Sequence, residues 1–348
     1  MSDQLLQTIL TAIEAELQYQ ISRIDYARTQ PYYEMLTYHM GWTGEGAGPE
    51  AAGKRIRPLL VLLTAAASSK AAASSGAAGA VETWKSALPA AAAVELVHNF
   101  SLVHDDIEDK SEKRRGRATA WVKWGVPQAI NAGDGLLVIA NLAITDLIKH
   151  HPAATVAKSA QILHNTCLEL TRGQYLDISY EKRNDLNEED YWPMISGKTA
   201  SLLACCCQLG ALLGGADEAT EEAYRSFGHY LGLAFQVQDD ILGIWGDEAV
   251  TGKSVASDLV EGKKSLPVLA GLGKKGKFAK RWAQGPIKQD EVEEVAQMLA
   301  SESAYTSTHE AAKQMTDMAL TSLREADPQG EAGDALNELA GKLLGRTM

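Results

Sequence analysis

Glu95-Leu96-Val97-His98-Asn99-Phe100-Ser101-Leu102-Val103-His104-Asp105-Asp106-Ile107-Glu108-Asp109 is the stretch whose reading decides the fold. It continues an apolar run through residues 90–94 and closes on acids at Asp105, Asp106, Glu108 and Asp109. Rich in Ala, Leu and Val, and free of Gly and Pro after Pro89, it predicts a helix buried in a core. At about 100° per residue, Asp105 and Asp109 fall one turn apart on one face, with Ser101 and His98 below them. Acids crowded at the end of a buried helix repel one another. If the helix stops near Asp109, its macrodipole opposes them as well. A cation must compensate, and oxygen ligands at this spacing suit Mg²⁺.

The rest of the chain reads as helices around that one. Leu5, Leu6, Ile9, Ile13, Leu17 and Ile21 recur at helical spacing. The glycines of residues 41–53 predict a mobile segment near 41–52, and the Ala/Ser/Gly stretch near 68–80 predicts another. Between them Gly53-Lys54-Arg55-Ile56-Arg57-Pro58 opens a helix. Further helices are predicted from Val126 to Ile148, from Pro152 onward, and from Gly197-Lys198-Thr199 through Cys205-Cys206-Cys207 to Gly210. A long one from about Glu221 ends in Phe235-Gln236-Val237-Gln238-Asp239-Asp240-Ile241-Leu242-Gly243, and another starts at Leu266. No alternating β-branched run is long enough for a sheet. We therefore expect an all-α chain, residues 1–348 forming a single large helical bundle around a central cavity.

Composition narrows the function. A net charge of −12 over 348 residues argues against nucleic acid or an anionic membrane as partner, so any anionic ligand needs local basic clusters or metals. The four cysteines form no Cys-x-x-Cys pattern and no disulfide framework, which points to a reducing, cytoplasmic setting. No run of 18 consecutive apolar residues occurs, so no membrane span is expected.

Repetition is the most informative feature. Two apolar helices each end in an acid pair, Asp105-Asp106 and Asp239-Asp240. One such end reads as a solvated terminus. Two read as metal-binding carboxylates, because burying both without a cation would be prohibitive. The bland alternative is that both project into solvent at one rim of a bundle. A second constellation is basic: Lys54, Arg57, Arg114, Arg115, Lys198, Lys253 and Lys263 lie beside glycines or at predicted helix boundaries. Each alone would pass for a solvated side chain. Interleaved with two acidic clusters, they describe a polyanion bridged by Mg²⁺ and clamped by Arg and Lys, with diphosphate the natural candidate. Gly197-Lys198-Thr199 is not a P-loop, since Trp192 stands where that motif requires glycine. The cysteine triplet reads as core packing. His98 reads equally as a satisfied core histidine or as a donor to a phosphate oxygen.

Asp105-Asp106-Ile107-Glu108-Asp109 with Arg114-Arg115-Gly116-Arg117 resembles the first aspartate-rich motif of the trans-polyprenyl diphosphate synthases. Gly53 to Pro58, Gly197-Lys198-Thr199, Phe235-Gln236 with Asp239-Asp240, and Gly252-Lys253 with Glu261-Gly262-Lys263 match that family in the same order. The resemblance implies an enzyme, usually a homodimer, that joins isopentenyl diphosphate head-to-tail to an allylic diphosphate with about three Mg²⁺ ions. By this resemblance Asp105, Asp109 and Asp239 hold the metals. Arg114, Lys198, Lys253 and Lys263 neutralise the allylic diphosphate, and Lys54, Arg57, His98 and Arg115 bind that of isopentenyl diphosphate. Thr199 and Gln236 line the reacting centre. One departure stands out: the second motif has Gly243 where the family usually has a third Asp, with Asp247 a possible substitute acting through water.

Product length is read from the central helix. Phe100 lies roughly 7–8 Å along the axis from Asp105 and forms a floor for the growing chain, with the small Ser101 one residue nearer. Phe100 without a two-residue insertion in the first motif resembles the short-chain synthases that stop at geranylgeranyl diphosphate, with farnesyl diphosphate as the alternative. A terpene cyclase would leave the basic Lys54, Arg57 and Arg115 without a ligand. A non-catalytic partner subunit of a synthase would be expected to lose the acid pairs that this chain keeps.

Overall fold

Leu5, Ile9, Ile13, Leu17 and Ile21 are all buried, so the first apolar stripe folds as expected into helix α1 (Ser2–Ile21). It belongs to a computed structural model that describes residues 2–24, 26–69, 80–246 and 257–345. Helices α2 (Gln30–His39), α3 (Ile56–Ala67) and α4 (Leu88–Glu108) follow. After a two-residue ladder of β1 (Lys113–Arg114) and β2 (Arg117–Ala118) come α5 (Val126–Thr145) and α6 (Ala153–Tyr180). Helix α7 (Glu188–Ile195) runs through a wide π turn (Ser196–Ala200) into α8 (Ser201–Gly214). Then come α9 (Glu218–Trp245), the short α10 (Ser257–Glu261), α11 (Leu266–Gly273), α12 (Val292–Ser301), α13 (Ala304–Ala326) and α14 (Gly330–Leu344). The all-α expectation is borne out. Strand structure among the described residues is confined to the antiparallel ladder pairing Lys113 with Ala118 and Arg114 with Arg117.

The chain divides into two compact units. The first comprises Met1–Asn165, Cys205–Glu222 and Asp327–Leu336; the second Thr166–Ala204, Ala223–Ala326 and Asn337–Met348. At the heart of the first lies α4, packed against α1, α3 and α5. Every residue from Pro89 to Val97 is buried, as its all-round apolar sequence requires. Burying a side chain such as Leu96 or Val97 contributes about 1.5–3 kcal/mol. Cys205, Cys206 and Cys207 are buried in this unit as packing groups, as expected. In the second unit, Tyr191, Ile195, Leu233, Val237, Ile241 and Leu266 belong to one core cluster. A smaller one gathers around Phe278, Val268 and Leu299.

Several sequence expectations shift. Residues 41–52 include a one-turn helix (Pro49–Ala52), and the preceding loop is fastened by Arg117, which donates to the carbonyls of Tyr38 (2.8 Å), Thr43 (2.6 Å) and Glu45 (2.9 Å). Most of the other low-complexity segment, 70–79, lies outside the described residues, as do Lys253 and Asp247. Length and composition alone would let Trp84–Glu108, Val126–Lys149 and Glu188–Gly214 cross a membrane, despite the lack of 18 consecutive apolar residues. The apolar content of α4 is instead spent on the first unit's core.

Gly197-Lys198-Thr199 was expected to head a helix and does not. It occupies the π turn inside a continuous helical run. The reason lies in packing. A Cβ on Gly197 would stand 2.7 Å from the Glu169 carbonyl oxygen and 2.9 Å from the Gly173 Cα, so two backbones touch there and only glycine fits.

Candidate active site

In the first unit, the end of α4 separates its acids by role. Asn99, Val103 and Asp106 share the buried face, whereas Asp105 is partly exposed. Asp106 Oδ1 accepts from Arg114 Nε at 2.8 Å, and Arg114 Nη2 also lies 3.5 Å from Asp105 Oδ2. Burial raises the Asp106 carboxyl while Arg114 opposes the rise. Asp109 closes the helix as its C-cap. Asp105 and Asp109 are thus placed on the helix end as the spacing predicts, and Asp106 is a structural acid.

Arg114 arrives on the β1–β2 hairpin, whose turn residues Arg115 and Gly116 have φ of 50° and 74°. Such left-handed turns match the twist of a tight hairpin. Arg115 Nη1 donates to the carbonyls of Ala51 (2.8 Å) and Ala52 (2.7 Å). Its guanidinium lies against Gly53, where a Cβ would meet it at 2.7 Å. Gly53 also needs its φ of 89°, so the glycine of Gly53-Lys54-Arg55-Ile56-Arg57 serves both shape and close approach. The two basic motifs therefore converge.

Within them Arg55 proves structural: buried, it pairs with Glu14 at 2.5 Å and Glu95 at 2.9 Å. Lys54 is exposed, and the buried Nε of Arg57 has no hydrogen-bond partner among the described residues. His98 titrates well below its ordinary value, first because it is withdrawn from water and then because Arg57, Arg115 and Arg114 repel a proton. His39 is pushed down to about 3, by desolvation and then Arg114 and Arg115. His39 lines a cleft with Arg114, Arg115 and Arg117, and these guanidinium groups make a positive environment suited to a polyanion. Phe100 stacks edge-on against His104 at 5.1 Å, and Ser101 Oγ donates to the His98 carbonyl at 2.8 Å.

The His39 shift has a testable sign. Its folded value lies below the ordinary 6.5, so the stabilisation is complete above pH 6.5 and is lost as pH falls toward 3. In urea titrations between pH 7 and 4, the wild type should lose on the order of a few kcal/mol more than His39→Gln. Parallel profiles would contradict this.

In the second unit the π turn carries Lys198 and Thr199. Lys198 pairs with Asp177, and Thr199 Oγ1 donates to Gln236 Oε1 at 2.8 Å. Gln236 Nε2 donates to Asp240 Oδ1 at 2.9 Å. The buried Asp240 also accepts from Tyr191 Oη (2.7 Å) and the Leu266 amide (3.0 Å). Burial lifts its carboxyl to about 7, although those three donors pull the other way. Asp239 is partly exposed. The pattern of the first unit is repeated: an inner acid held by protein donors and an outer one presented beside it. Lys263 pairs with Glu261 at 2.8 Å and lies 3.9 Å from Asp258.

Among the described residues, no three Asp, Glu, His or Cys side chains gather into a cage for a metal. The partly exposed Asp105 and Asp239 each offer a carboxylate of the kind Mg²⁺ takes when phosphate oxygens and water complete its sphere. Sequence reasoning missed the inner role of Asp106 and Asp240. The signal was there: Asp106 follows Asn99 and Val103, and Asp240 follows Val237, at the helical spacing of the buried face. Asp177, Tyr191, His39 and Asp258 carried no local signal.

An all-α chain with paired acids on two helices and a guanidinium-lined pocket has the make-up of an enzyme that works on polyanionic substrates. The polyprenyl synthetase family model matches residues 48–301, and the chain belongs to that family. It is 42% identical to the geranylgeranyl diphosphate synthase of Mycobacterium tuberculosis over 252 residues, 72% of this chain and 68% of that protein. It is 40% identical to the (2E,6E)-farnesyl diphosphate synthase of Mycobacterium bovis over 275 residues, 76% of this chain and 72% of that one. Among solved structures, geranylgeranyl pyrophosphate synthetase from Pyrococcus horikoshii superposes with a TM-score of 0.86 at 31% identity, covering 99% of each chain. A polyprenyl synthetase from Streptomyces coelicolor gives 0.84 at 34% identity, also over 99% of each.

Proposed function

We propose that this family member condenses isopentenyl diphosphate with an allylic diphosphate and releases geranylgeranyl diphosphate. The observation that carries the reading is the repeated inner–outer acid pair, Asp106 with Asp105 and Asp240 with Asp239, in a chain whose basic motifs converge on Arg57, Arg114 and Arg115. Asp105, Asp109 and Asp239 are the carboxylates for about three Mg²⁺ ions. When bound, these supply Lewis-acid charge at the departing diphosphate.

The protein's own groups do the rest. Arg114, Lys198 and Lys263, with Lys253, hold the allylic diphosphate as its carbon–oxygen bond breaks and the electron pair leaves with the phosphate. Lys54, Arg57, His98 and Arg115 hold isopentenyl diphosphate so that its double bond attacks the allylic carbon. A neutral His98 fits this role, since a phosphate beside it would draw a proton onto the ring. Thr199 and Gln236, already joined by a hydrogen bond, face the developing cation with oxygen atoms. The released diphosphate takes the final proton.

Support for a homodimer comes from α5, where Val138 is 58% and Leu142 43% exposed, a cost that a second copy would remove. The four cysteines are free thiols, in keeping with a reducing cytoplasmic setting.

The test is incubation with isopentenyl diphosphate and each allylic starter, with and without Mg²⁺, reading chain length by mass. No elongation under any condition would overturn the proposal; a fifteen-carbon product would replace geranylgeranyl with farnesyl diphosphate. In the same assay Phe100→Ala should shift the product to longer chains. An unchanged distribution would remove Phe100 from the floor.

A further inference from the structure

The net charge of −12 argues against an anionic partner for the molecule as a whole, yet residues 264–288 carry seven basic side chains and no acid. They lie in the second unit, where a short helix (Lys277–Trp282) follows α11 after a tight turn. Helical spacing splits that helix into two faces. Phe278 is fully buried and Trp282 packs beside it with ring centroids 5.5 Å apart, while Lys277 and Lys280 are exposed. Lys274 and Lys275 are exposed in the turn before it. Lys264 Nζ lies 5.6 Å from the Trp282 ring centroid and brings a further positive charge to the same helix. The turn is held in shape: Lys275 has a left-handed φ of 53°, and Gly276 leaves room for the Glu302 carboxylate, which accepts from the amides of Lys277 and Phe278. The acids that bond this segment are thereby committed, Glu302 to backbone amides and Glu291 to Arg281 at 2.7 Å. Lys274, Lys275, Lys277 and Lys280 have no ion-pair partner among the described residues.

We propose that this lysine patch docks the protein peripherally on an anionic lipid surface. A cluster of roughly four to eight basic side chains is held at such a surface by the summed attraction of the headgroup charge, with no segment crossing the bilayer. Lysine suits the task. Its compact ammonium on a flexible stem follows a diffuse field, whereas reading nucleic acid favours the forked guanidinium and, on single strands, exposed aromatic faces for bases to stack on. Here every cation of residues 274–280 is a lysine, and Phe278 and Trp282 are turned toward the core. The rest of the acidic molecule is repelled by the same surface, so the patch fixes which side faces the lipid. The choice of lipid over nucleic acid also rests on the function proposed above: a twenty-carbon chain on a diphosphate is itself an amphiphile that partitions from water into a bilayer. A synthase docked through its lysines releases that product where it partitions.

Co-sedimentation of the full chain with vesicles, in the absence of substrate, tests the docking. Wild type should bind vesicles of about one-third phosphatidylglycerol at least roughly tenfold more tightly than pure phosphatidylcholine, and molar salt should release it. The variant Lys274→Gln/Lys275→Gln/Lys277→Gln/Lys280→Gln should lose roughly thirtyfold or more in affinity for the anionic vesicles. Its counterpart with arginine at the same four positions keeps the charge and should bind within about threefold of wild type. Both should keep the thermal midpoint and the elongation rate measured without vesicles, since none of the four lysines belongs to the diphosphate motifs. A wild type that ignores anionic vesicles, binds neutral ones equally well or prefers duplex DNA to them would overturn the proposal. So would a glutamine variant that still binds, or an arginine variant that does not. Because docking is read without substrate, failure of the elongation assay would overturn the proposed function and leave this result standing.

Discussion

Asp105→Asn is expected to lower kcat/KM roughly 10²–10³-fold or more while the protein stays folded. Asp105 is partly exposed at the end of a helix whose core contacts lie further back, and the structural work of the acid pair falls to Asp106. Asparagine keeps the shape and removes one unit of negative charge, so the loss is confined to cation binding. Stability should change by no more than about 0.5 kcal/mol. Asp106→Asn should show the reverse order of effects, since it loosens Arg114 from α4 before it touches any ion. Steady-state kinetics over a magnesium titration, paired with thermal melts, separates the two. Turnover within tenfold of wild type for Asp105→Asn would remove this residue from the metal set.

The second large effect is on stability. Glu95→Ala should cost about 3–5 kcal/mol, because it leaves the Arg55 guanidinium buried with one partner fewer. The side chains of Arg55 and Glu95 are 2% and 4% exposed, their contact is 2.9 Å, and Asn99 Nδ2 also donates to Glu95 at 3.2 Å. Arg55 has φ of 49° immediately before α3, so its backbone cannot relax without moving the basic motif. Glu14 pairs with the same guanidinium and limits the loss. Denaturant midpoints of Glu95→Ala and the milder Glu95→Gln measure the effect; a change under about 1 kcal/mol for the alanine would show that Glu14 alone suffices.

These two residues also show what was legible in the sequence. The acid-tipped helix was, because α4 is buried all round and its spacing fixes which acids share a face. The match of motifs to a family added the pairing of basic and acidic groups that no periodicity encodes. What stayed hidden depends on closure of the chain. Arg55 looks like its neighbours Lys54 and Arg57, and only the distant Glu14 and Glu95 mark it as structural. The Arg114–Arg117 segment reads as a basic loop, since two residues per strand leave no alternation to detect. Gly243 reads as a defect until the Asp258 carboxylate, fifteen residues on, is seen filling the space that a side chain at 243 would need. Local patterns report which face is wet or dry; partners across loops are set by three-dimensional meeting.

The touching backbones at Gly173 and Gly197 have a wider consequence. Neither position can accept even a methyl group without pushing main chain away, so variation in this lineage is barred from the turn that presents Lys198. A library of substitutions scored for growth should find these two sites nearly as intolerant as the aspartates themselves. Phe100, which packs edge-on against the His104 side chain rather than against backbone, should remain more open to change. If Phe100 and Lys198 have the roles proposed above, selection can retune the length of the product while the grip on the leaving group is inherited unaltered.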